Sequence, residues 1–362
     1  MEPPQKKPKI QNMSTIQAIL SHEYTEPNKL MEVYVTAVDD KKQISKIMQQ
    51  LATLLPVPQL QHLKRVKDNK IILCSKEDVG SLEKLKPFLE AKALDTAIIE
   101  EILQKTEIVE VPATPPKLRW QYDIVHRIWP CKFHPDKYME QRYEGTNFTD
   151  KEKEFHWNIA TLMMDISRKI LDNQGIGVCV DPRFNSLVAM SSSFTTKSPV
   201  MHCPMILVDY VARTQDSGAW NEKLNSAEDF MESEKDSEHT LAGIPKRFKQ
   251  FMDEHEDHKN IKLGAERLRN TEKLKSEDVQ MLDGDNLAKY GPYLCTGYDV
   301  YLLQEPCLMC SMALVHSRAK RVFFIKFSDN GSLATRFQLH SVPELNHHYE
   351  VYHIKCDNID MS

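Results

Sequence analysis

The sequence predicts an α/β protein with a three-layer α-β-α domain in its second half and a smaller α+β domain before it. Three observations support this prediction. Strand and helix patterns alternate over residues 30–113, Pro112, Pro115 and Pro116 then interrupt them, and a second alternating series starts with a long amphipathic helix near residue 150. The 362 residues, 41% of them hydrophobic, suffice for two hydrophobic cores.

The first series follows the order β-α-β-β-α-β. Its predicted elements are a strand over 31–38, a helix over 41–54, strands over 62–66 and 71–75, a helix over 79–88 and a strand over 106–111. Asp68 and Asn69 form a predicted hairpin turn between the two middle strands. Residues 91–103 also follow a helical pattern, so the number of helices stays open. This order is typical of the ferredoxin-like split arrangement.

The second series opens with a helix over 150–171, which Thr149 or Asp150 can cap and in which Phe155, Ile159 and Leu162 recur at helical spacing. The elements that follow are strands over 175–180 and 186–190, a helix over 202–213, a strand over 299–303, a helix over 308–316 and a strand over 321–325. The order α-β-β-α-β-α-β predicts helices on both faces of one sheet.

An acidic stretch interrupts the second series. Residues 214–290 carry 12 Lys and Arg against 18 Asp and Glu, so they are more acidic than the whole chain, whose net charge is −5. We interpret them as a solvated insertion, helical around 246–252 and 266–274 and flexible elsewhere. The predicted division is a flexible N-terminus over 1–29, a ferredoxin-like domain over 30–113, a linker over 114–149, and a second domain over 150–362 that contains the insertion.

Composition restricts the cellular setting. No apolar run reaches the ~20 residues of a membrane helix, and the first ten residues, MEPPQKKPKI, lack the apolar stretch of a secretory signal. Eight cysteines are too few for a disulfide scaffold in a chain of this length, so we expect a reducing compartment. The basic tract over residues 6–9 resembles a short nuclear-import signal, although such tracts also arise by chance. We expect the protein in the nucleus and the cytoplasm.

A metal-ligand pattern begins where the strand over 299–303 leads into the helix over 308–316. Cys307 and Cys310 lie three residues apart, so both thiols share the first helical turn, where the helix N-terminus favours thiolates. This pair alone fits half a zinc site, a redox pair or two buried thiols. His202 lies 105 residues before Cys307, but only 28 remain once the 77-residue insertion is set aside. Two helix starts at one end of a sheet predict a His/Cys/Cys zinc site with a fourth position open.

The segments that carry these ligands resemble the zinc-dependent nucleoside and nucleobase deaminase superfamily, whose signature is H-x-E followed by P-C-x-x-C. Residues 293–318, YLCTGYDVYLLQEPCLMCSMALVHSR, together with 331–337 and 343–348, are similar to the non-catalytic subunits of eukaryotic heterodimeric tRNA adenosine deaminases. Residues 56–66 resemble the N-terminal domain of the same subunits. The resemblance implies a cytidine-deaminase-like fold, bound Zn²⁺, a catalytic partner with an intact H-x-E motif, and tRNA whose wobble adenosine the pair converts to inosine.

Pro204 stands where the active signature has glutamate, the general acid/base that moves protons between zinc-bound water and the base. Proline has no ionisable group, although its restricted φ suits the start of a helix. We therefore predict a catalytically inactive subunit with a structural zinc. The alternative is an autonomous zinc-dependent nucleoside or nucleobase deaminase in which Glu305 or Asp209 supplies the missing carboxylate. Cys203 is a further candidate ligand, although a helix-start neighbour is expected to point elsewhere.

Two basic stretches are candidates for RNA contact, and the first of them would make the domain over 30–113 RNA-binding. Lys64, Arg65, Lys67 and Lys70 oppose a single acid, Asp68, which suits phosphate contacts. The alternative is a strand edge protected by lysines. The second stretch interleaves the basic residues Arg119, Arg127 and Lys132 with the aromatic residues Trp120, Tyr122, Trp129 and Phe133. There, RNA contact competes with a tryptophan-anchored linker that packs on the deaminase domain.

Overall fold

The structure, a computed structural model, describes residues 15–172, 175–220, 229–231, 238–267 and 293–356. The basic tract over residues 6–9 therefore lies outside the described residues. The chain divides into two compact units. One comprises Met1–Leu20 and Gly145–Ser362, and the other comprises Ser21–Glu144.

The secondary structure alternates strands and helices throughout. The described strands are β1 (Thr15–Ala18), β2 (Leu30–Ala37), β3 (Val66–Lys67), β4 (Lys70–Ser75), β5 (Thr106–Pro112), β6 (Ile176–Asp181), β7 (Ser186–Ser192), β8 (His239–Thr240), β9 (Lys262–Leu263), β10 (Ala265–Glu266), β11 (Asp299–Gln304), β12 (Arg321–Lys326) and β13 (Glu350–Lys355). The described α-helices are α1 (His22–Thr25), α2 (Lys41–Leu54), α3 (Lys76–Val79), α4 (Leu82–Ala91), α5 (Thr96–Gln104), α6 (Arg119–Ile128), α7 (Lys137–Glu144), α8 (Asp150–Ile170), α9 (Cys203–Arg213), α10 (Lys246–Glu254) and α11 (Leu308–His316). None of these helices has the length and apolar character of a membrane-spanning segment.

The larger unit is built on a sheet with the strand order β1-β13-β12-β11-β6-β7-β9. β11, β12 and β13 run parallel, whereas β6 is antiparallel to both β11 and β7. Alternating residues of β6 face two separate cores: Val178 packs with Ile159 of α8, and Cys179 packs with Leu207 of α9 and Leu314 of α11. Helices therefore cover both faces of the sheet, as the element order predicted.

The smaller unit holds a four-stranded antiparallel sheet in the order β3-β4-β2-β5. Side chains of α2, α4 and α5 form a core with one set of strand residues. A second core joins Val33 and Val111 of the sheet to Val125 of α6 and to Trp129, which follows α6. The structure thus differs from the predicted linker over 114–149, because this segment contains α6 and α7, and α6 completes a hydrophobic core.

Most predicted elements agree with the structure within a few residues, and the helices over 41–54 and 308–316 have the predicted bounds. Asp68 and Asn69 have φ of 49° and 65°, as a tight hairpin turn between β3 and β4 requires. The predicted strand over 62–66 is wrong, because only Val66 of it belongs to β3. Leu63 instead forms an isolated bridge with Cys131, far along the chain.

The N-terminal segment over 1–29, predicted to be flexible, contains β1 and α1. Thr15 to Ala18 pair with Lys355 to Tyr352 of β13, which the sequence patterns did not predict. Ile16 is buried in a core of the larger unit. Both strands escape prediction because each is short and finds its partner about 340 residues away.

The acidic insertion is not wholly solvated, which corrects the prediction. α10 confirms the helix predicted around 246–252, but Phe248, Phe251 and Met252 are buried in the core that contains α8. β9 extends the large sheet beside β7. Glu266, predicted to begin a helix over 266–274, lies in β10, and residues 268–274 are outside the described part of the chain.

Candidate metal centre

Two connections bring the predicted metal ligands to one edge of the large sheet. β7 and β11 run in the same direction because each is antiparallel to β6, so their carboxyl ends share an edge. The chain after β7 leads to His202, which caps α9, and the chain after β11 leads to Cys307, which caps α11. Cys310 follows in the first turn of α11. Pro204, in the first turn of α9, has the restricted φ that suits a helix start.

The structure brings the three predicted ligands together. One donor atom from each of His202, Cys307 and Cys310 lies within 4.8 Å of the other two, and Cys307 Sγ is 3.6 Å from His202 Nδ1. Tetrahedral zinc, with bonds of about 2.0–2.3 Å, holds its ligand atoms roughly 3.5 Å apart. The imidazole and two free thiols therefore fit a zinc ion in both chemistry and spacing.

Cys310 and Cys203 differ in their suitability as metal ligands. Burial, followed by the charge of nearby Cys307, raises the pKa of the Cys310 thiol, and a ligated metal cation would reverse this by stabilising the thiolate. Cys203 instead contacts Ser191, with Sγ 3.3 Å from the hydroxyl oxygen, and burial raises its pKa to about 12. A Cβ at Gly177 would lie 2.9 Å from Cys203 Sγ, so this thiol fills the layer between α9 and β6.

Glu305, one candidate for a relocated acid/base, fastens the loop after β12. Its carboxylate accepts N–H hydrogen bonds from Leu333 at 2.9 Å, Ala334 at 2.7 Å and Thr335 at 3.0 Å, and the Thr335 hydroxyl also donates to it. Burial opposes ionisation of Glu305, but these hydrogen bonds outweigh it and hold its pKa below the ordinary value. A Cβ at Gly331 would lie 2.0 Å from Oε2, so the loop packs directly on the carboxylate. A carboxylate bound in this way is a poor proton carrier.

Asp209, the other candidate, caps a different turn. Its Oδ1 accepts hydrogen bonds from the backbone N–H groups of Ala219 at 2.6 Å and Trp220 at 3.4 Å. The cavity beside the metal ligands, of about 520 Å³, is lined in part by Pro204 and Asn330, and Glu305 is the one carboxylate among the described residues that line it. The geometry therefore brings the three candidate ligands together, and the one carboxylate among the described lining residues is already bound to the loop after β12.

No family model matches the chain. The human probable inactive tRNA-specific adenosine deaminase-like protein 3 is 30% identical over 347 residues, which cover 92% of this chain and 87% of the human protein. The chain belongs to this family. The resemblance drawn from the sequence motifs is therefore confirmed.

Two further members of the family carry the name TAD3. The tRNA-specific adenosine deaminase TAD3 of Arabidopsis thaliana is 25% identical over 362 residues, covering 85% of this chain and 87% of the plant protein. The tRNA-specific adenosine deaminase subunit TAD3 of Saccharomyces cerevisiae is 46% identical over 65 residues, which cover 17% of this chain and 20% of the yeast protein.

The structure contradicts the predicted phosphate contact at Arg65. Its guanidinium donates to four backbone carbonyls, those of Leu51, Leu55, Ile72 and Leu73, at distances between 2.7 and 3.2 Å. Burial lowers the pKa of Arg65 to about 10. The half-buried side chain therefore joins α2 to β4 through its donors, and a sequence pattern cannot distinguish such a residue from a free surface charge.

The three lysines of that stretch, Lys64, Lys67 and Lys70, have different surroundings. Lys67 Nζ donates to the carbonyl of Ile128, the last residue of α6, at 2.7 Å, and Lys70 pairs with Glu107 at 2.5 Å. Lys64 is exposed. The predicted cluster of four cations is thus reduced to one exposed lysine and one ion-paired lysine, closer to the strand-edge alternative.

The second basic stretch combines an anchor with an exposed surface. Trp129 is buried, and its Nε1–H donates to the Lys64 carbonyl at 2.5 Å. Tyr122 and Phe133 stack with ring centroids 4.8 Å apart, and the Arg119 guanidinium lies 5.2 Å from the Phe133 centroid. Because Arg119 is exposed, this side of the stretch offers a cation and aromatic rings together.

Proposed function

We propose that this chain is the non-catalytic subunit of a heterodimeric tRNA adenosine deaminase that converts the wobble adenosine of the anticodon to inosine. Relatives are named as inactive tRNA-specific adenosine deaminases or as subunits of one. The observation that carries the proposal is Pro204 at the general acid/base position, with Glu305 and Asp209 both engaged in holding loops. Catalysis then belongs to a partner subunit with an intact H-x-E motif.

We further propose that His202, Cys307 and Cys310 hold one zinc ion. The close approach of an imidazole and two thiols at two helix starts supports this assignment. When bound, zinc would polarise a ligated water and cross-link the protein groups that hold it. Because Glu305, the one carboxylate among the described residues that line the site, is bound to the loop after β12, we infer a structural role in which the ligands join the start of α9 to the start of α11.

The finer fold assignment is part of the same proposal. Helices on both faces of the large sheet, with ligands at two helix starts, fit a cytidine-deaminase-like three-layer domain. The smaller unit fits a ferredoxin-like domain, because β4 lies between β2 and β3 while β2 lies between β4 and β5. Each β-α-β half is thus split by a strand of the other, which is the defining feature of that arrangement.

We assign RNA binding in the smaller unit to the surface around the Tyr122–Phe133 stack. Exposed Arg119 and Lys132 supply the cations there, and stacked rings suit unpaired bases. We leave Arg65 out of this assignment because its guanidinium already donates to four backbone carbonyls. Presence in the nucleus and the cytoplasm remains a proposal that rests on the basic tract over residues 6–9.

The decisive experiment is single-turnover inosine formation on a tRNA with adenosine at the wobble position. We expect no product from the purified chain alone and product from its complex with the H-x-E subunit. General acid/base help contributes typically 10²–10⁴-fold, and Pro204 can supply none of it. The matched variant is Pro204→Ala in the complex, which should retain activity because the residue performs no chemistry.

Two results would contradict the non-catalytic assignment. Robust turnover by the chain alone that disappears in Glu305→Gln or Asp209→Asn would establish a relocated acid/base and an autonomous deaminase. Failure of the chain to associate with any H-x-E subunit would contradict the proposed heterodimer.

A further inference from the structure

A polar cavity of about 480 Å³ lies at the C-terminal end of α11, the opposite end from Cys307. Its described lining includes Tyr293, Thr296, His316, Arg318, Asn346 and His347. These residues come from three separate segments of the larger unit. The metal centre and Pro204 take no part in this cavity, so its chemistry is independent of the deaminase signature.

Backbone hydrogen bonds hold the three segments together. Cys295 N–H donates to the Ser317 carbonyl at 2.9 Å, and Thr296 bridges to Ala319. The His347 ring nitrogen Nε2 lies 2.8 Å from the Ala319 carbonyl. Hydrogen bonds therefore connect both of the other segments to the turn that follows α11.

The side chain of Gln215 adds a further brace. Its amide nitrogen donates to the Leu294 carbonyl at 2.9 Å, while its amide oxygen accepts from the Leu294 N–H at 3.0 Å. Leu294 has φ of 47°, so this double contact holds a backbone shape that a leucine rarely adopts. The brace holds the residue directly after Tyr293, which is 54% exposed.

Arg318 is the charged centre of the cavity. Its guanidinium lies 5.5 Å from the Tyr293 ring centroid, and no ion pair to another described residue neutralises it. The described residues that line the cavity include no aspartate or glutamate. An exposed cation in contact with an aromatic ring, without a carboxylate, is arranged to meet an anion.

The backbone at Arg318 supports this interpretation. Its φ is 61°, at the position directly after the α11 cap where helices commonly place glycine. A non-glycine residue in this region costs on the order of 1 kcal/mol. Backbone strain of this kind clusters at active sites and ligand-binding positions. The N–H groups of Ser317, Arg318 and Ala319 donate to carbonyls of the last helical turn, so the Arg318 guanidinium is not needed to satisfy those oxygens.

We propose that this cavity binds a nucleotide of the tRNA, with Arg318 on a phosphate and a base stacked on Tyr293. The inference deepens the proposed function and rests on it, because it takes tRNA as the substrate of the complex. Arg318 can pair with phosphate through two parallel N–H bonds, and stacking on an aromatic ring is how proteins hold unpaired RNA bases. An acidic protein segment would satisfy Arg318 but would leave the exposed Tyr293 ring without a partner.

The test is a titration of labelled tRNA with the assembled complex at several salt concentrations. Arg318→Gly removes the charge and suits the positive φ, so it should fold; we expect binding about tenfold weaker and a salt slope lower by roughly 0.9. Tyr293→Leu removes the stacking ring and should weaken binding about tenfold with an unchanged slope. Lys326→Ala, which removes an exposed charge at the far end of β12, is the matched control and should change neither value.

The outcomes separate the cavity from the wider proposal. A wild-type salt slope and affinity in Arg318→Gly, while the complex binds tRNA normally, would overturn the cavity assignment alone. Loss of the catalytic subunit from either variant would make the cavity a protein contact and would also overturn it. Competition by millimolar AMP that depends on Arg318, with unaltered tRNA affinity in the variant, would indicate a free-nucleotide site instead. Absence of tRNA binding by the wild-type complex would refute the proposed function itself.

Discussion

Arg65 and Arg318 carry the same guanidinium group but meet opposite surroundings. Arg65 donates to four carbonyls inside the smaller unit, whereas Arg318 is exposed beside the Tyr293 ring. Removing Arg65 would take one donor from each of these carbonyls, and a buried carbonyl left with no donor costs about 1–3 kcal/mol. A basic residue is therefore an RNA candidate only when its donors are not already bound to the protein backbone.

His156 is a second residue whose role follows from burial. It is 2% exposed, its Nδ1 lies 2.6 Å from the Tyr301 hydroxyl, and its ring stacks on Phe323. Burial, aided by the positive charge of Arg321, lowers the pKa of His156 from 6.5 to about 3. The folded protein thus binds fewer protons than the unfolded chain between these values. The stability that neutral His156 contributes is complete above about pH 6.5 and is lost as the pH falls towards 3.

This difference predicts a specific acid sensitivity. Between pH 7 and pH 5, protonation of His156 in the unfolded chain should cost the larger unit about 2 kcal/mol, at about 1.4 kcal/mol per pKa unit. His156→Gln keeps a hydrogen-bonding group near Tyr301 but does not titrate, so its denaturant unfolding should lose about 2 kcal/mol less over the same interval. Equal losses in the variant and the wild type would show that His156 does not govern this part of the pH dependence.

Among the elements, α9 and α11 position the residues of the proposed metal centre. Each begins with a ligand as its cap, His202 in one case and Cys307 in the other. The thiols sit where the positive end of the α11 dipole favours their charged form. A metal held there joins two helices that are neighbours in the core but are separated in the chain by the acidic insertion.

Removal of the two thiols should therefore abolish metal binding and lower stability. We expect one zinc per chain in the wild type by elemental analysis and none in Cys307→Ser with Cys310→Ser, with a clearly lower melting temperature, because structural zinc contributes on the order of 10 kcal/mol in small sites. Cys356→Ser, a change of a half-buried cysteine at the last described residue, is the matched control and should keep the zinc. Stoichiometric zinc in the double variant would exclude these cysteines as ligands.

At the scale of the whole molecule, the chain forms two compact units. In the larger unit, β1 pairs with β13, so the two ends of the described chain lie in one sheet. The smaller unit is completed by α6, which also presents Arg119 beside the Tyr122–Phe133 stack. RNA contact is thus proposed for both units, at the cavity around Arg318 and at this stack.

The contribution of the smaller unit is testable by charge removal. Arg119→Ala with Lys132→Ala should weaken tRNA binding by the complex and lower the salt slope by roughly 0.7–0.9 for each phosphate that the protein no longer neutralises. Lys84→Ala with Lys86→Ala removes the same charge from exposed positions on α4 and serves as the control. An equal fall in slope for both pairs would mean that net charge, and not this surface, is responsible.

The sequence by itself determined the elements whose causes are local. The helix over 41–54 and the hairpin at Asp68 and Asn69 follow from periodicity and turn chemistry, which act over a few residues. The His202, Cys307 and Cys310 set was predictable for the same reason, because each ligand sits at a recognisable helix start. The consequence of Pro204 can also be read from the sequence, since a side chain without an ionisable group cannot act as a general acid or base.

Only the tertiary structure decided which partners the remaining side chains meet. It pairs β1 with β13, buries Phe248 of the acidic insertion in the core beside α8, and directs Arg65 and Glu305 to backbone groups. None of these contacts is encoded in a local pattern, because burial and hydrogen bonding depend on residues that are distant in the chain. The local sequence around a charged side chain is the same whether that side chain faces solvent or a carbonyl. Tertiary folding determines which of the two it meets, because folding brings the carbonyl within hydrogen-bonding distance.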